Sequence, residues 1–93
     1  MTKIELNGYV DLTHDRLDDV LAALPEHIAL SRGEDGNISF SVTQDSTNPL
    51  RLLVSEVFEN QASFDAHQTR TSKSKWADVT KGLPRHYTIT EKP

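Results

Sequence analysis

Hydrophobic and polar residues alternate along several short stretches of this chain, and the stretches between them have helical spacing. The apolar side chains of residues 4–12 fall on one face, namely Ile4, Leu6, Val10 and Leu12. A period of two over this length predicts a strand. Residues 38–44 alternate in the same way, and residues 86–90 predict a last short strand. Residues 50–59 are apolar on both faces, which is typical of a strand in the middle of a sheet.

The first helical stretch begins after Thr13, whose hydroxyl suits an N-cap, and carries an apolar stripe from Leu17 to Ile28. Pro25 interrupts the stripe, so we expect a kink or a restart there, and an end by Ser31. After Asn60 the sequence predicts a short helix, followed by a second one over about 72–81.

The predicted order is strand, helix, strand, strand, helix pair, strand. This order indicates an α+β fold of the ferredoxin-like βαββαβ type, with a four-stranded antiparallel sheet in a single domain over residues 1–93. Helices then cover one face of the sheet and leave the other bare. A second copy of the same sheet is the simplest cover, so we expect a homodimer.

Composition narrows the classes of partner. The chain has 93 residues, a formal net charge of −4 and no cysteine, which excludes disulfides and thiolate metal sites. Acidic and basic residues are mixed along the chain with no basic stripe, so nucleic acid is not an expected partner. The chain shows no signal-peptide pattern and no apolar run near the roughly 20 residues that span a bilayer. We therefore expect a cytoplasmic protein without membrane contact.

Several short motifs together resemble the antibiotic biosynthesis monooxygenase family. They are FSVTQD at 40–45, the Asn48-Pro49 turn, SEVFEN at 55–60 and FDAHQ at 64–68, and the segment 76–87 also fits. The resemblance implies a dimeric α+β barrel with one pocket per subunit between the sheet and its helices. It also implies oxidation of phenolic or anthrone-like substrates by molecular oxygen without metal, flavin or haem. An electron-rich substrate anion passes an electron to oxygen itself, so the protein only deprotonates, orients and desolvates it.

His67 is the first candidate for catalysis. It lies one helical turn after Phe64, and an imidazole accepts a phenolic proton near neutral pH. By resemblance, Asn7 on the first strand is the second candidate, holding a substrate oxygen. The expected substrate-binding residues are the pocket-wall aromatics Phe40, Phe64 and Trp76, the phenol of Tyr87, and His27, which a helix broken at Pro25 would turn towards the pocket. Each of these also fits a purely structural place, in the core, at the pocket rim or in a dimer interface.

The sequence does not favour a metal or haem site. The four histidines lack the i, i+4 pairing and the HExxH setting of zinc sites. Haem-degrading relatives carry a helical tryptophan and, further along, a histidine. Here His67 stands near the tryptophan position and Trp76 near the histidine position, so haem is not expected. Glu56 alternates onto the face of Val54 and predicts a partly buried carboxylate, for which Arg51 and Arg85 are candidate partners.

Three functions follow for one pocket. The first is cofactor-independent monooxygenation of a small electron-rich aromatic, such as a hydroquinone, anthrone or other phenol. The second is a non-catalytic dimer that binds a small hydrophobic metabolite. The third is an isomerase or lyase that moves a proton without oxygen.

Overall fold

In residues 2–93, the part that the computed structural model describes, four strands and three helices follow the predicted βαββαβ order. Their bounds are β1 Lys3–Asp11, α1 His14–Arg32, β2 Asn37–Asp45, β3 Asn48–Phe58, α2 Gln61–Ser72, α3 Lys75–Thr80 and β4 Arg85–Lys92. The prediction of a ferredoxin-like α+β fold is confirmed.

The strands form one antiparallel sheet in the order β2-β3-β1-β4. The central position predicted for β3 is confirmed, and β1 is its neighbour. β2 and β4 are the two edges. Along β2 the register shifts between Asn37 and Ser39, which leaves Ile38 as an extra, exposed residue. One such residue bends an edge strand and increases its twist.

The core lies between the sheet and the helices. Every second residue of β1 and β3 points to this side, and Leu52 and Phe58 are completely buried there. From α1, Val20 and Ala23 pack into the same core. Burying an apolar side chain as large as that of Leu52 or Phe58 stabilises the fold by roughly 1.5–3 kcal/mol. The core therefore fixes the distance between the sheet and the helices that cover it.

The helices differ from the sequence prediction in two places. α1 continues through Pro25 to Arg32 as one helix, so the expected restart does not occur. Val20, Ala23 and His27 are buried on both sides of the proline, and this packing offsets the one hydrogen bond that proline removes. α3 is shorter than predicted because Ser74 caps a separate helix, its side chain accepting from the Ala77 N–H. No helix of residues 2–93 has the length and apolar character that a membrane crossing requires.

The opposite face of the sheet, here called the outer face, is not covered by any described element. Leu53 lies there with 42% of its surface exposed. At one end of this face Tyr9 stacks on His86, with ring centroids 4.6 Å apart, and the Arg51 guanidinium lies 3.9 Å above the Tyr9 ring. Arg51 also pairs with Asp11 at 2.9 Å. The outer face also carries small polar side chains, among them Ser41, Ser55, Thr43 and Thr88, beside the larger Glu5 and Val57.

Candidate functional site

A cavity of about 240 Å³ lies between the sheet and the helices α2 and α3, on the side of β4. Its walls include Leu6, His27, Glu56, His67, Trp76, Arg85 and Tyr87, with Gln68, Thr71, Ser72 and Ala77 along the helices. A cleft of about 330 Å³ between α1 and α3 contains none of the predicted site residues. The cavity beside β4, by contrast, brings together four of them: His27, His67, Trp76 and Tyr87.

His67 is held in one orientation by Glu34. Asn60 caps α2 by accepting from the Ser63 N–H, and this cap fixes the helix that carries His67. The imidazole is 2% exposed, and its Nδ1 lies 2.5 Å from Glu34 Oε1. A carboxylate only accepts hydrogen bonds, so Nδ1 carries the proton and donates. In this tautomer Nε2 is the ring nitrogen that is able to accept a proton.

Glu34 is itself held by Arg70, which lies one helical turn after His67. The Arg70 Nε donates to Glu34 Oε2 at 2.7 Å, while its second guanidinium nitrogen donates to Ser31 Oγ at 3.0 Å. Glu34 stands in the short turn between α1 and β2, and each of its oxygens thus accepts from a different residue of α2. These contacts hold the carboxylate in line with the imidazole.

Glu56 projects from β3 towards the other nitrogen of His67. Its Oε1 lies 3.5 Å from His67 Nε2 and has no hydrogen-bond partner among the described residues. The side chain is almost fully buried, and burial, with the nearby Glu34 charge as a second cause, raises the pKa of Glu56 to about 7. The prediction of a buried carboxylate is confirmed, but the arginine partners proposed from the sequence are wrong. Arg51 pairs with Asp11 on the outer face, and Arg85 donates to Thr80.

His27 and Trp76 form an aromatic wall of the cavity. Their rings stack with centroids 4.5 Å apart and planes 5° from parallel. Burial lowers the pKa of His27 to about 3, and the charges of His67 and Arg70 act in the same direction. His27 is therefore neutral, and its buried Nδ1 has no hydrogen-bond partner among the described residues. The stacked pair therefore gives the cavity an uncharged aromatic wall.

Tyr87 faces the cavity from β4. Burial raises the pKa of its phenol to about 12, although 37% of the residue surface remains exposed. The hydroxyl therefore keeps its proton at neutral pH and is able to donate a hydrogen bond. Because β4 is an edge strand that no helix covers, this side of the cavity is open.

Three predicted site residues lie outside the cavity. Phe40 and Phe64 are buried in the core beneath it, Phe40 with its ring 5.6 Å from that of His67 and Phe64 against Phe58. Asn7 is exposed on the outer face, opposite Ser55 and Thr88. The prediction that Asn7 shares a pocket with His67 is wrong, because alternation along β1 turns Leu6, not Asn7, towards the helices.

Sequence reasoning missed Glu34 and Arg70. Glu34 carries no local signal of its role, because its contact with His67 joins residues 33 positions apart. The one local signal was the spacing of His67 and Arg70, which places two basic side chains on the same face of α2. Among residues 2–93, no three His, Asp or Glu side chains are grouped closely enough to hold a metal ion.

Comparison with known proteins agrees with this architecture. The sequence model of the family described as "Antibiotic biosynthesis monooxygenase" matches residues 4–78, and no curated protein matches. A Nitrosomonas europaea protein whose name places it among these monooxygenases superposes with a TM-score of 0.80 at 21% identity, over 96% of this chain and 88% of that one. A Shewanella oneidensis protein superposes with a TM-score of 0.79 at 22% identity, over 98% of this chain and 91% of that one. A Bacteroides thetaiotaomicron protein superposes with a TM-score of 0.77 at 20% identity, over 97% of each chain.

The chain belongs to the antibiotic biosynthesis monooxygenase family, since the family model covers most of its length. The function is monooxygenase-like at the level of the family. The solved structures share the fold at low identity, so they identify neither the substrate nor the residues that act on it.

Proposed function

We propose that this family member oxidises a small electron-rich phenol, such as a hydroquinone or anthrone, with molecular oxygen and without a bound cofactor. The observation that supports this proposal best is the Glu34–His67 pair at the wall of the cavity, with Nδ1 and Oε1 2.5 Å apart. A histidine fixed by a carboxylate on one nitrogen is a general base on the other.

The proposed reaction begins when His67 Nε2 accepts the phenolic proton. Glu34 keeps the ring in the correct tautomer and stabilises the imidazolium that forms. The substrate anion is then electron-rich enough to react with oxygen directly. Trp76 and His27 hold the aromatic ring of the substrate, and Tyr87 is placed to donate a hydrogen bond to a substrate oxygen.

The size of the cavity favours a substrate with one aromatic ring. Pockets for drug-sized ligands occupy about 300–1,000 Å³. The cavity here is about 240 Å³. A hydroquinone is therefore expected to fit inside it, whereas a three-ring anthrone would extend through the open side at β4.

Oxygen uptake by the purified, metal-free protein with a panel of hydroquinones and anthrones tests the proposal. His67→Gln keeps the size and polarity of the side chain but removes the base, and we expect uptake to fall by about 100-fold or more. His14→Gln is the matched control, because His14 is exposed at the start of α1, away from the cavity. A folded His67→Gln protein with wild-type uptake would exclude His67 as the base.

One observation favours a second candidate, an isomerase. His67 Nε2 and Glu56 Oε1 are 3.5 Å apart, and such a pair is able to move a proton between two positions of a ligand without oxygen. Under anaerobic conditions an isomerase would exchange a carbon-bound substrate proton with deuterated solvent and release product. A monooxygenase would exchange the proton but release no product until oxygen is admitted.

We also propose that the chain forms a homodimer through the outer face. Stacked sheets pack about 10 Å apart, and the small side chains Ser41, Ser55 and Thr88 leave room for that approach over part of this face. Leu53 lies on this face in β3, directly opposite Tyr9, with 42% of its surface exposed. In sedimentation experiments we expect Leu53→Glu to give monomers. Leu30→Glu is the control, because Leu30 is exposed on α1 in the other layer and its change should leave the dimer intact.

A further inference from the structure

Glu56 lies in the cavity wall but takes no part in the first proton transfer, which uses His67 and Glu34. It lines the cavity from the sheet side, opposite the helix that carries His67. The carboxyl is buried, and Oε1 has neither a hydrogen bond nor an arginine or lysine partner among the described residues. A buried acid without such a partner is costly to the fold and points to a function in the cavity.

The chemistry of the proposed reaction needs a proton donor as well as a base. Oxygen adds to a substrate carbon, and the peroxide takes back from His67 the proton removed in the first step. This gives a hydroperoxide whose carbon carries one hydrogen and an O–O–H group, and it leaves His67 free to act as a base again. When a base removes that hydrogen, the carbonyl bond forms and the O–O bond breaks. The distal oxygen leaves with the electron pair as hydroxide and must take up a proton. The carbon loses four electrons overall, and the oxygen molecule gains four as it ends in one carbonyl oxygen and one water.

We propose, resting on the function proposed above, that Glu56 is a second catalytic residue and donates the proton with which the distal oxygen leaves as water. His67 removes the carbon-bound proton in the same step. The cycle closes because His67 Nε2 lies 3.5 Å from Glu56 Oε1 and returns that proton to the carboxylate. The pair thus supplies a base and an acid 3.5 Å apart in the cavity wall, and Glu34 fixes the base.

The surroundings of Glu56 determine its pH behaviour. His67 and Glu34 face it from the helix side, and the Tyr87 phenol, whose pKa responds to the Glu56 charge, faces it from β4. Arg85 and the neutral His27 complete the charged and titratable groups of the cavity wall. Donation requires the protonated carboxyl, so kcat is expected to fall as the pH rises through about 7.

Glu56→Gln tests the proposal, because glutamine has the shape of the neutral acid and no proton to transfer. We expect a folded protein with a nearly unchanged KM, a kcat lower by about 100-fold and no decline of kcat above neutral pH. Glu59→Gln is the matched control, since Glu59 is exposed beyond the end of β3. A Glu56→Gln protein with wild-type kcat and the wild-type pH profile would overturn the proposal.

A second measurement does not depend on turnover. The carboxyl carbon of Glu56, followed by NMR in the wild-type chain, is expected to titrate near pH 7, and a midpoint in the ordinary range of glutamate would also overturn the proposal. If the wild-type protein takes up no oxygen with any substrate of the panel, the proposed function and the O–O cleavage step fail together. The NMR titration still decides, in that case, whether the cavity contains a protonated acid.

Discussion

Replacing His27 by phenylalanine should make the protein markedly more resistant to acid. His27 is buried against Trp76, and its Nδ1 has no partner among the described residues. Phenylalanine keeps the stacked ring and removes both the unsatisfied nitrogen and the titratable group. An unsatisfied buried polar atom alone destabilises a fold by about 1–3 kcal/mol, so we expect a gain at every pH as well.

The pH-dependent part follows from the pKa of His27, which burial lowers from 6.5 to about 3. The unfolded chain takes up a proton below pH 6.5, whereas the folded chain resists doing so until pH 3. Stability is therefore lost as the pH falls through this window. A pH of 4 lies two and a half units below the pKa of the unfolded histidine, and one unit corresponds to about 1.4 kcal/mol. The expected loss between pH 7 and pH 4 is about 3 kcal/mol.

Urea unfolding of the wild type and of His27→Phe, at the same protein concentration and from pH 7 down to pH 4, measures this effect. The difference between the two curves isolates His27 from the other titrating groups, and it should grow by about 3 kcal/mol over the range. The control His14→Phe changes an exposed histidine and should follow the wild-type slope. A difference that stays constant with pH would show that His27 titrates normally and would refute the reasoning.

Three further predictions concern stability. The pKa of Glu56 is raised from 4.5 to about 7, so the stability of the wild type falls as the pH rises through this range. In urea unfolding, the free energy of unfolding of Glu56→Gln should match that of the wild type at pH 4 and exceed it by about 3 kcal/mol at pH 8. At Gly8 an added Cβ would overlap the carbonyl oxygen of His86, so Gly8→Ala should destabilise the fold by roughly 3 kcal/mol. Gly82 has open space around it, so Gly82→Ala should cost only about 1 kcal/mol, and thermal unfolding measures both. Phe58→Ala should destabilise by about 3–5 kcal/mol, since Phe58 is fully buried; a loss below 1 kcal/mol would contradict its place in the core.

Most of the fold was predictable from sequence because the hydrophobic period is a local property. Alternation on β1 and β2 and the doubly apolar β3 identified the strands and the centre of the sheet. The continuity of α1 was not predictable, since it depends on burial on both sides of Pro25. Local propensity favoured a break there, and tertiary packing overrode it.

The candidate site was predictable only in part. His67 and Trp76 were found because their residue types are chemically distinctive and stand on predicted helices. The prediction for Asn7 was wrong because the sequence of the first strand does not say which of its two faces meets the pocket. Neighbouring residues of a strand point to opposite faces, so the choice of face decides which side chains enter the pocket. Glu34 escaped notice because its role depends on the turn before β2 meeting α2, a contact that no local pattern encodes.

The bulge at Ile38 has a consequence for the behaviour of the sheet at high concentration. β2 is an edge, and a straight edge presents free N–H and C=O groups on which strands of other molecules add. The extra residue between Asn37 and Ser39 bends this edge and interrupts its ladder. At the opposite edge β4 carries Arg85, His86, Glu91 and Lys92, which oppose docking of a flat apolar strand. Both borders of the sheet thus resist fibre-like growth, while its broad outer face remains open to a partner.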